Sequence, residues 1–224
     1  MKILDNERAM IKKLADRLKS SCSVIKFEIY ALFCSLVGIV KSRVFFRQYN
    51  VNKLEIGVGN TARKNGFITS DINLKSDFPF DLRIGLPFPD DSIDIIYAEH
   101  VLEHFDYKDL LILLKDCHRA LKPTGIMSIV VPNAKIYLTA YFKPEEFEYK
   151  KYCLYDFGLS YKHNIDYVNY MFYMGGHHRY MFDEDSILTL LKDEGFKNVH
   201  KRDFDDNLDQ QDRKYESIYV EATK

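Results

Sequence analysis

Three side chains that can bind a metal ion or transfer a proton lie within the stretch His100-Val101-Leu102-Glu103-His104. This stretch fits the H-x-x-E-H pattern of the inverted zinc peptidases. On an α-helix, His100 and His104 would lie four residues apart on one face, which is the geometry that zinc ligation needs. The motif therefore has two interpretations, a zinc site or a local packing arrangement, and the elements around it have to decide between them.

The composition is that of an ordinary globular protein with one domain, or one domain and an appendage. The chain has 224 residues, of which 46% are hydrophobic and 29% are charged, and its formal net charge is −1. This balance gives no electrostatic reason to expect nucleic acid as a partner. The four cysteines are scattered without C-x-x-C spacing, so we expect reduced thiols in a cytoplasmic protein.

Residues 1–50 are predicted to form an N-terminal helical extension of two segments. Their first part mixes acids and bases without an apolar core, which is not the pattern of a secretory signal. The longest apolar run, 29–40, is shorter than the roughly 20 residues of a membrane-spanning helix. It therefore predicts a buried helix or one that lies at a membrane surface. Nearby basic residues would suit anionic lipid headgroups, and equally a solvated helix face: Lys12, Lys13, Arg17, Lys19, Lys41, Arg43 and Arg47.

From residue 51 to residue 224, β-type runs alternate with amphipathic helical patterns. Strands are predicted in KLEIGVG, GFITSD, FPFDL, SIDIIYA, IMSIVVP, FKNVHKRDF and ESIYVEA. Helices are predicted over 107–122 and from Asp183 to Gly195. This alternation predicts an α/β fold, a doubly wound and mostly parallel sheet of about seven strands with an antiparallel edge strand from the final hairpin. Residues 134–182 form an irregular insert that holds ten of the 16 tyrosines.

The first predicted strand ends in Gly57-Val58-Gly59, where glycines allow a sharp turn and a close approach by a ligand. With Ala62 this becomes the dinucleotide pattern G-x-G-x-x-A, although a tight structural turn would explain it as well. The second strand ends in Asp71, a carboxylate that can accept hydrogen bonds from ribose hydroxyls. Asp71 follows Gly57 by 14 residues, whereas the dinucleotide pattern has about 20. The segment between these two strands, NTARKNG, is too short for a helix whose N-terminus could hold a pyrophosphate. This short segment favours an adenosine cofactor without a diphosphate over NAD.

Five blocks of sequence, in order over residues 52–224, resemble the class I S-adenosylmethionine-dependent methyltransferases. The blocks are KLEIGVGN, FITSDI, DLRIGLPFPDDSIDIIYAEHVLEHF, LLKDCHRALKPTGIMSIVVPN and HHRYMFDEDSILTLLKDEGFKNV. The likeness is to a type 11-like, short-loop bacterial branch often found among cell-surface polysaccharide genes. It implies a Rossmann-like fold, S-adenosyl-L-methionine as cofactor and S-adenosyl-L-homocysteine as product. In that family HVLEH begins a helix and serves packing and capping, so no metal site is expected.

The resemblance implies a role for each residue that matches the two leading motifs. Glu55, Gly57 and Gly59 would face the methionine part of the cofactor. Asp71 would bind the ribose, and Ile72 beside it would pack on the adenosine.

Two further blocks complete the expected cofactor site. Asp81 and Leu82 match the step at which relatives hold the adenine amino group. Glu99 and His100 fall just past the fourth strand, beside the methionine end. The chain departs from the family pattern at Val58, often cysteine in relatives, and in KPTG for KPGG. Neither change should impair cofactor binding.

A base for the methyl acceptor is expected in the stretch MGGHHRYMF, where relatives carry a histidine that faces the active cleft. The candidates are His178, His177 and Tyr180, because histidine takes up a proton near neutral pH. A hydroxyl acceptor needs such a base, and an amine acceptor needs it less. The alternative is that His178 only ties the insert to the sheet.

The expected function is O-methylation of a small molecule or of a sugar or nucleotide-linked intermediate of surface glycan biosynthesis. The tyrosines of the insert suit a sugar ring, and they would equally form a small core of their own. A non-catalytic module that binds the cofactor or a protein on the same fold is the alternative. The expected partners are a small-molecule acceptor and no nucleic acid, with weak membrane-surface association through the N-terminal helices and a homodimer as further options.

Overall fold

The computed structural model describes residues 2–45, 51–59, 64 and 66–224, with side chains from residue 21 onward except those of residues 51 and 52. Ala62 and most of the NTARKNG segment, on which the short-helix argument depends, lie outside the described residues. So do the side chains of the basic residues before position 21. The described chain forms one sheet with helices packed around it.

Seven strands form this sheet in the order β3-β2-β1-β4-β5-β7-β6. They are Val51–Ile56 (β1), Ile68–Asp71 (β2), Phe78–Pro79 (β3), Ile93–Glu99 (β4), Leu121–Pro132 (β5), Lys197–Lys201 (β6) and Ser217–Thr223 (β7). The first five strands run parallel, and β7 runs antiparallel to both β5 and β6. The doubly wound, mostly parallel sheet of seven strands is confirmed. Its antiparallel strand, β7, lies one place in from the edge, where it pairs along its whole length with β5.

β1 and β4 pair with each other at the point where the strand order reverses. From β1 the chain continues through β2 and β3 toward one edge of the sheet, and from β4 it continues through β5 toward the other edge. In open α/β sheets a crevice forms at this point, beyond the carboxyl ends of the strands. β1 and β4 are followed by the segments that begin with Gly57 and His100, so both segments border this crevice.

The helices are Lys2–Phe45 (α1), Tyr107–Ala120 (α2), Ala134–Phe142 (α3), Tyr149–Tyr152 (α4), Ile165–Tyr173 (α5) and Glu184–Asp193 (α6). The side chain of Asp106 accepts a hydrogen bond from the Asp109 N–H and so caps α2. Asp183 caps α6 in a reciprocal capping box with Ser186. The apolar faces of both helices pack on the sheet and form most of the main core with it.

The N-terminal extension is one continuous helix, so the prediction of two helical segments is wrong. Residues 2–45 contain no proline and one glycine, Gly38, so nothing in the sequence breaks the helix. A Cβ atom at Gly38 would overlap the carbonyl group of Pro79 in β3. Gly38 and the other small residues on this face therefore let α1 approach the edge of the sheet closely.

The opposite face of α1 is apolar and exposed. Ile25, Ile29, Leu32, Leu36 and Val40 follow helical spacing, and each leaves more than half of its surface exposed to solvent. Within the described residues, the segment Ser21–Phe45 alone is long and apolar enough to cross a membrane, and 22% of it is buried. Core helices of soluble proteins meet the same criteria of length and composition.

The insert predicted over residues 134–182 forms a separate aromatic cluster on α3, α4 and α5. Tyr137, Tyr170 and Met171 are buried at its centre. Phe147 and Tyr152 stack at 5.4 Å around them. Four of the insert's ten tyrosines, Tyr137, Tyr152, Tyr161 and Tyr170, therefore belong to a small core, which was one of the two roles expected for them.

Candidate functional site

A cavity of about 670 Å³ lies in the crevice at the carboxyl ends of β1, β2 and β4. Every residue that the sequence assigned to cofactor binding lines it: Glu55, Gly57, Gly59, Asp71, Ile72, Asp81, Leu82, Glu99 and His100. These nine residues belong to three of the five sequence blocks, which the structure brings together around one space. Their individual roles stay predictions.

The glycine turn after β1 forms the floor of this cavity. Gly57 and Gly59 have φ values of 68° and 60°, a region in which glycine is favoured. A Cβ atom at Gly57 would overlap Val101, whereas one at Gly59 would have no atom of a described residue within 4 Å. Gly57 is therefore required by packing, and Gly59 leaves the space in front of the backbone open for a ligand.

Asp71 is tied to this turn by a hydrogen bond of 2.8 Å from the Gly59 N–H to its Oδ2. Burial raises the pKa of Asp71, and hydrogen bonds from the N–H groups of Gly59 and Ile72 lower it in part. The side chain is only partly buried, so it can accept further hydrogen bonds from a ligand in the cavity. Two ribose hydroxyls would supply such donors, and the residues present therefore fit an adenosine.

Two buried carboxylates, Glu55 and Glu99, line the cavity at its expected methionine end, and the Lys64 ammonium lies between them. The Lys64 Nζ lies 3.0 Å from the Glu99 Oε2 and 3.8 Å from the Glu55 Oε1. Gln210 donates its backbone N–H to the second Glu99 oxygen at 2.9 Å. Burial raises the pKa of Glu55, and the ammonium of Lys64 opposes that rise. This end suits a ligand with an ammonium group and a carboxylate, such as a methionine moiety.

The Asp81 side chain has a partner that the sequence did not reveal. Arg83 contacts both Asp81 carboxylate oxygens and donates two further hydrogen bonds, of 2.9 and 2.8 Å, to Glu28 of α1. Asp81 also accepts the Arg83 backbone N–H and so caps a 3₁₀ turn. Its oxygens keep acceptor capacity for an adenine amino group, and the cluster fixes α1 beside the cavity, where Phe27 joins the lining.

The family resemblance implied that the HVLEH motif begins a helix, but the motif does not begin helix α2. Leu102–His104 form a 3₁₀ turn, Phe105 is extended, and α2 starts at Tyr107. His100 has a φ of 53°, in the left-handed region, so His100 and His104 are not on one face of an α-helix. The two interpretations of the motif both assumed an α-helix, and the actual turn allows a different arrangement of its side chains.

The imidazole of His100 is fixed by Ser217, whose hydroxyl lies 2.8 Å from its Nε2. Its Nδ1 lies 3.6 Å from the Oε1 of Glu103. Burial lowers the pKa of His100 well below its ordinary value. His100 is therefore a neutral imidazole at the boundary between the cofactor cavity and the interior.

A second cavity of about 240 Å³ adjoins the first, and His100, His104, His177 and Arg213 line both. The side chains of Tyr155 and Phe157 from the insert line the second cavity alone. This cavity thus lies between the expected methionine end of the cofactor site and the aromatic insert. A methyl acceptor could enter here.

The structure separates the three predicted catalytic residues. His177 lines both cavities, and His178 lines only the second. Burial lowers the pKa of His178 to about 4, which makes its imidazole a weak base. The structure does not bring Tyr180 to either cavity, because its ring packs between Tyr107 and Phe182.

The sequence missed several residues at the two cavities. Phe27, Gln210 and Arg213 line the first cavity, and Glu103 lines the second. Glu103 was visible as part of HVLEH. Arg179, which also lines the first cavity, belongs to the MGGHHRYMF stretch that the sequence did single out. Nothing in the sequence pattern pointed to Phe27, Gln210 or Arg213, which come from the two ends of the chain.

The sequence matches the family model described as "Methyltransferase domain" over residues 24–201. The chain belongs to this family. The resemblance to class I S-adenosylmethionine-dependent methyltransferases is therefore confirmed, with S-adenosyl-L-methionine as the cofactor. The match extends from α1 to β6, so it includes both cavities' histidines and the glycine turn.

Several solved structures are similar to this chain. A SAM-dependent methyltransferase from Archaeoglobus fulgidus is 17% identical, covers 83% of this chain and 93% of its own, and has a TM-score of 0.46. One from Mesorhizobium loti is 16% identical, with 80% and 95% covered and a TM-score of 0.46. A Haemonchus contortus phosphoethanolamine N-methyltransferase, solved with S-adenosyl-L-methionine, is 12% identical, with 83% and 52% covered and a TM-score of 0.45. At this identity the likeness concerns the fold alone. No curated protein matches the sequence.

Proposed function

We propose that this methyltransferase O-methylates a small hydroxyl acceptor, a sugar or nucleotide-linked intermediate of surface glycan biosynthesis, in a cytoplasmic reaction. The observation that carries the proposal is the shared lining of the two cavities by His100, His104, His177 and Arg213. A ligand in the smaller cavity would be in contact with one in the larger cavity. Transfer of a methyl group needs such direct alignment of donor and acceptor.

The cofactor site is proposed to use each residue as the family pattern implies. Asp71 would bind the ribose hydroxyls, and Ile72 and Leu82 would pack on the adenosine. Glu55 and Glu99 would bind the methionine end. The bound cofactor supplies the methyl group as an activated sulfonium, so the protein has to align the acceptor, exclude water and remove a proton.

Removal of the hydroxyl proton is assigned to His177. This histidine lines both cavities, so it lies where an acceptor hydroxyl would meet the methyl donor. His178 is less suited as a base because its pKa is lowered and its Nδ1 is held 2.6 Å from the carbonyl oxygen of Met171. We therefore give His178 a positioning role in the acceptor site, and Tyr180 a packing role.

The second part of the proposal concerns helix α1, which we assign to weak association with an anionic membrane surface. Its exposed apolar face is flanked by the basic residues Lys26, Lys41 and Arg43. An apolar face with basic flanks is typical of helices that lie in the interface plane. A membrane-bound acceptor would then meet the enzyme at that surface. A homodimer through the same face would be the alternative outcome of a test.

The function is tested with purified protein, S-adenosylmethionine and a panel of nucleotide sugars, free sugars and amines. We expect release of S-adenosylhomocysteine with a hydroxyl acceptor and a mass gain of one methylene on that acceptor. Turnover only with amines would contradict O-methylation. Cofactor binding by calorimetry without turnover on any acceptor would favour the non-catalytic binding module.

A further inference from the structure

The carboxylate of Glu103 is fully buried, and neither of its oxygens has a hydrogen-bond partner among the described residues. A buried carboxylate without a partner is costly and is rarely kept unless a cation or a donor satisfies it. Three imidazole nitrogens lie near its Oε1. The Nδ1 of His100, whose Nε2 contacts Ser217, lies 3.6 Å away. The Nε2 atoms of His104 and His178 each lie 4.0 Å from the Glu103 Oε1.

Both imidazoles are fixed through their other nitrogen. The Nδ1 of His178 lies 2.6 Å from the Met171 carbonyl oxygen, and the Nδ1 of His104 lies 3.1 Å from that of His177. A carbonyl oxygen only accepts, so each Nδ1 must carry the hydrogen and donate it. In metal sites, ligating histidines are held in the same way, with the second ring nitrogen donating to a carbonyl or carboxylate.

The backbone holds these three residues together although His178 is distant in the sequence. The N–H groups of Arg179 and Tyr180 both donate to the carbonyl oxygen of Glu103, at 2.8 and 3.2 Å. The rings of His104 and His178 meet edge to face at 5.0 Å. Backbone hydrogen bonds therefore hold the two segments of the cluster together, independently of the conformations of the three side chains.

We infer that Glu103, His104 and His178 form a binding site for a divalent transition-metal ion such as Zn²⁺. Their ligand atoms all lie within 4.8 Å of one another. Tetrahedral zinc with bonds of about 2.1 Å places ligand atoms about 3.4 Å apart, so each side chain would move in by a small amount. Two imidazoles and one carboxylate are the donor set of open zinc sites and of non-haem iron(II) sites. This inference differs from the expectation of no metal that followed from the family pattern.

The position of the metal site indicates a role in binding the methyl acceptor, an inference that rests on the proposed function. Glu103, His104 and His178 all line the second cavity, so an open coordination position would face the space proposed for the acceptor. A metal ion there would bind the acceptor's hydroxyl oxygen and orient it toward the methyl donor. Arg213 lines the same cavity with a positive charge, and the carboxylate of Glu216 lies there to offset it.

The test is calorimetric titration of ZnCl₂ into the full-length protein after removal of any purification tag and dialysis against a chelator. We expect one Zn²⁺ per chain, with binding retained in excess Mg²⁺ because Mg²⁺ prefers oxygen ligands. Glu103→Gln keeps the shape of the side chain and should weaken binding at least about a hundredfold. His104→Ala removes a partly exposed ligand and should weaken it similarly. His200→Ala, which changes an exposed histidine on β6, is the matched control and should bind as the parent does.

A titration without cofactor or acceptor keeps this inference separate from the proposed function. No saturable Zn²⁺ binding, or equal affinity in the parent and in both folded ligand variants, would overturn the metal site and leave methyl transfer untouched. Binding with equal turnover rates in metal-free and Zn²⁺-loaded protein would keep the site and overturn its acceptor role. Circular dichroism of each variant verifies that it is folded before it is titrated.

Discussion

The guanidinium carbon of Arg83 lies 5.6 Å from the centre of the Phe27 ring. This contact connects the wall of the first cavity with the N-terminal helix α1. Phe27 also lines that cavity, near Asp81 and Leu82 at its expected adenine end. A residue far outside the sheet domain's sequence thus contributes to the domain's main cavity. The extension therefore contributes to the lining of the proposed cofactor site.

Replacement of Phe27 by alanine should weaken binding of S-adenosylmethionine. The lost aromatic contact corresponds to about 0.5–1.5 kcal/mol, or roughly a twofold to thirteenfold increase in Kd. Phe33→Ala is the matched control, because Phe33 is exposed on the same helix and does not line the cavity. Isothermal titration calorimetry measures both. Equal Kd values for the two variants would show that α1 plays no part in cofactor binding.

Replacement of Asp71 by alanine should weaken cofactor binding by about 1.5–3 kcal/mol, the range for hydrogen bonds to a charged group. The matched control is Asp94→Ala, because Asp94 lies near the opposite end of β4 and pairs with Lys122 on the surface. Calorimetry with S-adenosylhomocysteine avoids turnover. If affinity is unchanged in the Asp71 variant, its assignment to the ribose is wrong.

The affinity for the cofactor should also fall in mildly acidic solution. Burial raises the pKa of Asp71 above its ordinary value of 3.8, so it takes up a proton at a higher pH than an exposed aspartate. A protonated carboxyl accepts fewer hydrogen bonds, so binding is strongest above the raised pKa and weakens as the pH falls through it. Burial raises the pKa of Glu55 as well, so Glu55 also takes up a proton at a higher pH than an exposed glutamate. The difference between the parent and Asp71→Asn across pH isolates Asp71, and identical profiles would contradict its role.

Asp209 should contribute strongly to stability, because it joins three parts of the chain in a buried cluster. It accepts hydrogen bonds from Arg202 at 2.6 and 2.7 Å and from the Tyr97 hydroxyl at 2.9 Å. Asp209→Ala leaves the Arg202 charge without its partner and should lower the free energy of unfolding by about 3–5 kcal/mol. Asp203→Ala, at an exposed neighbouring position, should change it little. Urea denaturation measures both.

The pH dependence of this contribution has a definite sign. Burial raises the pKa of Asp209, but hydrogen bonds from Arg202 and from the Asp205 N–H outweigh it, so the pKa is lowered below 3.8. The stabilisation is therefore present above the ordinary carboxyl pKa and is lost as the pH falls below 3.8 through the lowered value. The difference in unfolding free energy between parent and Asp209→Ala should shrink in acid. A constant difference would mean that packing, and not charge, accounts for it.

The exposed face of α1 should bind anionic vesicles weakly. We expect the full-length protein to float with phosphatidylserine-containing vesicles at low salt and less so at high salt, because basic flanking residues add a screened attraction. The double variant Leu32→Ser and Leu36→Ser should lose the apolar part of the binding. Flotation of parent and double variant to the same extent would contradict a role for this face, and a salt-independent dimer in sedimentation would indicate a second copy as its occupant.

The sequence by itself determined the strand-end residues that line the first cavity, because their positions follow from local rules. Residues that end neighbouring parallel strands must meet at one edge of the sheet, so the Gly57-Val58-Gly59 turn, Asp71 and Glu99 could be assigned to one site without coordinates. The α/β class followed in the same way from the alternation of elements. Helical spacing also revealed α1, although not that it is continuous.

Only the tertiary structure decided what surrounds the reacting groups. The HVLEH motif forms a 3₁₀ turn, so its own histidines do not lie on one face of an α-helix, and a third imidazole beside Glu103 comes from His178. That approach depends on backbone hydrogen bonds between segments more than 70 residues apart in the sequence, which no periodicity encodes. Phe27 and Arg213 reach the cavities by the same kind of long-range packing. Local propensity fixes elements and their ends, whereas distant contacts depend on how those elements pack together.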